Sequence, residues 1–130
     1  MYYVEQITTP AQTAQEDAIV TYMGMTWGYI QKVRICFPPG CVGLMHVQIY
    51  RYEQQIYPST PGQSFAWDGF VVEFVDSYPL FTEPYELKIV TWNDDDSYEH
   101  TIQVHVELSE FSLVEALQRL LREGYMIGGY

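Results

Sequence analysis

"PYELKIVTWNDDDSYEHTIQVHVEL", residues 84–108, sets two alternating apolar runs on either side of a polar tip. Side chains of a strand point alternately to opposite faces. In the second run Tyr98, His100, Ile102, Val104, Val106 and Leu108 therefore share one face, while Glu99, Thr101, Gln103, His105 and Glu107 share the other. The first run puts Tyr85, Leu87 and Ile89 opposite Glu86, Lys88, Val90 and Trp92. Two such runs joined by a short polar link are expected as a hairpin turning at Asn93 to Ser97. The tip itself, Asn93, Asp94, Asp95 and Asp96, offers the oxygen ligands a calcium ion requires, but the alternating Asp pattern and central Gly of an EF-hand loop are missing. A solvated turn, in which Asn and Asp side chains bond to nearby backbone donors, needs no further partner and is the expected reading.

The same pattern extends outward. Val33, Ile35 and Phe37 stand opposite Lys32 and Arg34, and Met45, Val47 and Ile49 stand opposite His46 and Gln48. "FPPGC" between these runs reads as a turn with Pro39 and Gly40 at its second and third positions. Further strands are expected at residues 2–8, about 17–25, 54–57 and 70–76, the last alternating Phe70, Val72 and Phe74 with Val71 and Glu73. The fold class read from this spacing is mainly β: an antiparallel β-sandwich or jelly-roll-like domain of seven or eight strands with one C-terminal amphipathic α-helix. Residues 1–108 form the sandwich and 109–130 the helix and tail.

The period changes at the end of the chain, where Leu113, Val114, Leu117, Leu120 and Leu121 recur at helical spacing. Ser112 and Glu115 are placed for a capping box, and Gly124 for a left-handed cap. So short a helix is marginal in water alone. Burying Leu113, Leu117, Leu120 and Leu121 contributes on the order of 6 to 12 kcal/mol before ordering costs. The stripe is accordingly a candidate interface, on its own sheet or on a second copy of the chain.

Composition narrows the partners. Across 130 residues, hydrophobic types make up 48% and charged types 18%, which is the balance of a folding chain rather than a disordered one. Six Lys and Arg against 17 Asp and Glu give a formal charge of -11, a surface that repels phosphate backbones and anionic headgroups. Neither nucleic acid nor membrane is expected as a partner. With no signal-peptide pattern in "MYYVEQITTP" and no apolar run near 20 residues, the chain reads as soluble and untargeted. Cys36 and Cys41 flank a tight turn and are expected as free thiols, because closing so short a loop gains little.

Positive evidence for catalysis is lacking: there is no nucleophile elbow, phosphate-cradling glycine loop or HExxH helix, and no cofactor is expected. Gly40, His46, Gln48, Glu53 and Gly62 loosely resemble the first metal motif of cupins. Gln48 stands where that motif has a second His, and no second motif follows. Trp92, Tyr50 and Tyr52 fall on faces expected to be wet, and Trp27 and Trp67 lie beside glycine or loop residues. Aromatics so placed stack on sugar rings or anchor protein interfaces. Trp92 is counted with the leucines as a candidate interface residue.

Residues 27–108 as a whole resemble a group of small β-sandwich proteins encoded by tailed phages and found in phage-rich environmental sequence. The resemblance lies in the strand ending Phe37-Pro38-Pro39-Gly40-Cys41, the Gly43-Leu44 strand with His46-Val47, and the closing segment from Pro84 to Val104. Such proteins are presumed particle components, so the resemblance implies a virion protein: a non-enzymatic capsid-decorating or tail-associated part, with other virion proteins or further copies of itself as partners. A carbohydrate- or ligand-binding sandwich module and a cupin-like metalloenzyme are the alternatives.

Overall fold

The computed structural model describes residues 1–123, with Leu113 described in its backbone only; the expected Gly124 cap and the tail after it lie outside the described residues. Eight strands form two four-stranded antiparallel sheets. β1 (Tyr2–Thr9), β8 (His100–Ser109), β3 (Gly28–Phe37) and β6 (Phe70–Leu80) make one sheet, in the order β1-β8-β3-β6. β2 (Ile19–Gly24), β7 (Glu86–Asn93), β4 (Met45–Arg51) and β5 (Gln54–Tyr57) make the other, in the order β2-β7-β4-β5. Consecutive strands alternate between the sheets almost throughout, which is jelly-roll winding.

The interior follows the alternation read from the sequence. Ile102, Val104 and Val106 of β8, Val33 and Ile35 of β3, Met45, Val47 and Ile49 of β4, and Leu87 and Ile89 of β7 are fully buried between the sheets. Tyr98 does not belong to that row, since β8 begins at His100 and Tyr98 is exposed. Phe70 is likewise half exposed at the start of β6, tilted against Trp67.

Pairing is where the structure departs from expectation. β7 and β8 are not a hairpin: β7 pairs with β2 and β4, and β8 with β1 and β3. β3 and β4 are split between the sheets in the same way. Alternation reports which side chains face inward, and two inward faces meet equally well side by side in one sheet or face to face across roughly 10 Å of core. The links 94–99 and 38–44 are long enough to cross that gap and do so as arches. The hairpin within one sheet is β4–β5, closed by the two residues Tyr52 and Glu53.

The turn at Pro39 and Gly40 forms as read, but a residue distant in sequence holds it. Asp68 Oδ1 accepts from the N–H groups of Gly40 (2.7 Å) and Val42 (3.1 Å), and those donors hold its carboxyl below the usual carboxylate range. Cys36 and Cys41 are both free, and burial raises the Cys41 thiol.

The helix α1 (Leu113–Arg122) starts on Ser112, whose hydroxyl accepts from the Glu115 N–H at 3.0 Å. The other half of the expected capping box is absent, because Glu115 turns its carboxylate to the Tyr29 hydroxyl at 3.3 Å. A bulge in β3 between Ile30 and Lys32 re-aims Gln31, which donates to the Phe111 carbonyl at 3.0 Å. The chain here is close-packed: a Cβ on Gly28 would meet the Ser109 carbonyl at 2.7 Å. No helix among the described residues is long and apolar enough to cross a membrane.

Candidate functional site

The two ends of the sandwich differ in chemistry. At one end lie the arches 94–99 and 38–44, and the stretch Asn93 to Asp96 is not a wet tip, as expected, but in large part a buried clasp. Asn93 is the last residue of β7, on the inward parity of Leu87 and Ile89, and is fully buried. Its Nδ2 donates to the carbonyls of Thr9 (3.2 Å) and Tyr98 (2.9 Å), and its Oδ1 accepts from the Asp95 N–H (3.0 Å). Asp95 is nearly buried as well. Its Oδ1 accepts from the N–H groups of Ser97 (2.9 Å) and Tyr98 (3.2 Å), and its Oδ2 meets His100 Nε2 at 2.8 Å. The Ser97 N–H first, then His100, hold this carboxyl below the usual range.

Asp94 turns the other way, to His46 Nε2 at 3.1 Å, while His46 Nδ1 bonds to the Ser64 hydroxyl at 2.8 Å. One histidine from each sheet thus holds one aspartate of the arch. Most of the oxygens that recommended the stretch for calcium meet protein donors, while Asp94 and Asp96 are themselves exposed, and among the described residues no three His, Cys, Asp or Glu side chains converge as metal ligands. The cupin-like set is scattered for the same reason: Gln48 is buried, donating to the Gln63 carbonyl, and Glu53 pairs with Lys88.

Trp92, expected on a wet face and counted as an interface residue, is 5% exposed. His46 lies flat against it, ring centroids 4.9 Å apart and planes 4° from parallel. Strand parity placed Trp92 correctly on the outer side of its sheet, but a neighbouring strand's side chain covers it, which parity does not report.

The opposite end carries a further stretch of exposed apolar surface, on the helix. Leu117, Leu120, Leu121 and Val114 lie between 42% and 65% exposed along one stripe of α1. The helix is fastened at its start, through Tyr29 to Glu115 and Gln31 to the Phe111 carbonyl. Beside it, Trp27 stacks on Phe81 (centroids 4.6 Å apart, planes 6° apart) and Tyr29 packs edge-on to Phe81. Arg51, which sequence reasoning passed over, closes this end. It follows Met45, Val47 and Ile49 on the inward parity, and its buried guanidinium donates to the carbonyls of Pro84 (2.7 Å), Glu86 (3.2 Å) and Thr82 (2.6 Å). An arginine on the inward parity next to a turn was the available signal.

No protein-family model matches the sequence, and no curated protein matches it. Among solved structures, hydroxypropylphosphonic acid epoxidase from S. wedmorenis is similar with a TM-score of 0.40 and 8% identity, over 82% of this chain and 42% of that one. Its complex with fosfomycin gives 0.39 and 9% over the same shares. This chain therefore spans less than half the epoxidase's length. A structure of Bacillus endospore appendages, described as a family of disulfide-linked pili, gives 0.42 and 11% over 84% of this chain and 88% of that one. At these values the likenesses carry no argument about function.

Proposed function

We propose that the protein is a non-enzymatic structural component of a virus particle, capsid-decorating or tail-associated, that acts through protein–protein contacts made at its helical end. The observation that carries the reading is the apolar stripe Val114, Leu117, Leu120 and Leu121 of α1, exposed among the described residues. A short amphipathic helix draws its stability from packing of its apolar face, and a fold that leaves this face uncovered has it available for another chain. Jelly rolls serve capsid, lectin and cupin domains alike, so the fold by itself leaves function open. The phage-protein resemblance supports the particle as the setting; its matching residues, such as Pro39, Gly40, Asn93 and His100, build the arches of the fold.

Protein analysis of purified particles from the source of the sequence tests the setting: this chain is expected at a fixed copy number, and its absence from intact particles overturns the proposal. Native mass spectrometry tests the contact. Leu117→Asp with Leu120→Asp is expected to abolish association while leaving the melting temperature of the sandwich in place.

A further inference from the structure

We propose that a cleft under the β4–β5 turn is a binding site for one neutral sugar ring of a glycan. The cleft has a volume of about 330 Å³, within the range of roughly 300 to 1,000 Å³ typical of small-ligand sites. Tyr22, Tyr52, Glu53, Glu86 and Lys88 supply its walls, with Arg51 beneath.

Tyr52 is the strongest sign of a built site. It holds a left-handed backbone, φ +55°, in a two-residue hairpin loop where Gly or Asn is the unstrained choice. Local turn chemistry that is set aside to put an aromatic ring at a given spot is the kind of conflict that marks functional positions. The ring is also immobilised. Its hydroxyl meets Arg51 (2.9 Å), Thr82 Oγ1 (2.8 Å) and the Glu83 carbonyl (3.2 Å), and the Arg51 guanidinium lies 3.9 Å from the ring centroid. One face of the ring is therefore backed by the guanidinium, yet the residue remains 51% exposed, and the surface left for a ligand is the other face. Tyr22, paired with Lys88 across β2 and β7, gives a second exposed ring.

The charges select the ligand. Lys88 and Glu53 pair at 3.1 Å and offer a donor and an acceptor for hydroxyls. Arg51 and Lys88 balance Glu53 and Glu86, so the cleft has no net sign of its own, while the chain's charge of -11 disfavours an anion. A cation meets Lys88 and Arg51. A wholly apolar ring covers the ammonium of the largely buried Lys88 side chain without replacing the water it displaces. A neutral ring with apolar faces and a hydroxyl rim satisfies both the tyrosines and the ion pair.

The test is saturation-transfer NMR on the full chain with methyl glucoside, methyl galactoside, methyl mannoside and N-acetylglucosamine, and with glucuronate and glucosamine as anionic and cationic controls. At least one neutral ring is expected to bind with a Kd in the millimolar range. Tyr52→Ala and Tyr22→Ala are each expected to weaken it by about tenfold, the upper end of one aromatic contact, whereas Tyr52→Phe, which keeps the ring and loses only the hydroxyl that steadies it, is expected to weaken it less than Tyr52→Ala. Should Tyr52→Ala fail to fold, Tyr22→Ala decides. No binding by any neutral ring, binding by a charged control alone, or affinity indifferent to Tyr22→Ala overturns the proposal. The cleft shares no residue with the leucine stripe, so its failure and that of the assembly role are separate results.

Discussion

Replacing Asn93 by Ala removes, in one step, the side chain that ties both sheets to the crossing arch. The amide serves the carbonyls of Thr9 and Tyr98 and receives the N–H of Asp95, all with Asn93 fully buried. A buried polar group left without its partner costs about 1 to 3 kcal/mol. Three such groups, partly rescued by water entering the space of the lost amide, set the expected loss at about 3 to 5 kcal/mol. Asn93→Asp is expected to be no better despite its matched shape, since it turns a carboxylate oxygen toward two carbonyl acceptors. The control is Asp96→Ala, at an exposed position of the same arch whose carboxylate bonds only to the Ser97 hydroxyl; it is expected to stay within about 0.5 kcal/mol of the parent. Urea unfolding followed by tryptophan fluorescence measures all three, with unchanged m-values showing that the denatured state is not the source of the difference. If Asn93→Ala falls within about 1 kcal/mol of Asp96→Ala, the arch is not a buried clasp and the reasoning fails.

Val104→Asp places an unpaired charge in the fully buried layer and is expected to prevent folding, while Gln103→Asp on the outer face is tolerated to within about 0.5 kcal/mol; equal effects overturn the register of β8. Asp95 and Asp68 have folded pKa values depressed by the donors around them, so their contribution is present above the unfolded value near 3.9 and lost as pH falls through the folded values. The stability gap between the parent and Asp95→Asn is therefore expected at pH 7 and should close below about pH 4; a gap constant down to pH 2 refutes the assignment. Millimolar calcium is expected to leave the melting temperature unchanged, and a rise of many degrees that Asp94→Asn with Asp96→Asn abolishes would show a bound ion. Truncation after Ser109 is expected to leave the sandwich folded, at a cost of about 1 to 3 kcal/mol for the Tyr29 and Gln31 hydrogen bonds, and to lose association; unfolding of the truncated chain makes the helix a lid instead.

Most of the inner face was legible because it depends on parity alone. Ile102, Val104 and Val106, or Met45, Val47 and Ile49, are buried in any sandwich that this sequence can form, whatever the pairing. Pairing itself was not legible. The run to Asn93 and the run from His100 satisfy the same pattern as hairpin partners or as strands of opposite sheets, and what separates the cases is contact with β1 and β4, distant in sequence. The signal that was present lies in the link: an Asn on the inward parity followed by a second Asx two residues on is what a buried arch requires and a solvated hairpin tip does not. Asp68 left no such trace, since nothing local to it marks an acceptor for the Gly40 and Val42 N–H groups. The helix and its stripe were legible from period and capping, and their openness to water was not, because exposure depends on what the remainder of the chain leaves uncovered.

The division of chemistry between the two ends then follows from the winding. Strands that alternate between sheets need arches at both ends, and each arch must satisfy the backbone groups it carries through the core. At one end Asn93, Asp95, His100, His46 and Asp68 do this with side chains drawn from both sheets, which spends the polar residues there on closure. At the other end Arg51 serves the carbonyls of residues 82, 84 and 86, and a single long side chain reaching three acceptors leaves much of the surface around it open. On that surface lie Tyr52, Tyr22, the Trp27–Phe81 stack and the helix that Tyr29 fastens. Substitutions at the arch end are therefore expected to register in stability, and substitutions at the helical end in binding with stability retained. Arg51 is the exception that the geometry requires: it belongs to both, because the guanidinium that closes the sandwich also backs the ring of Tyr52.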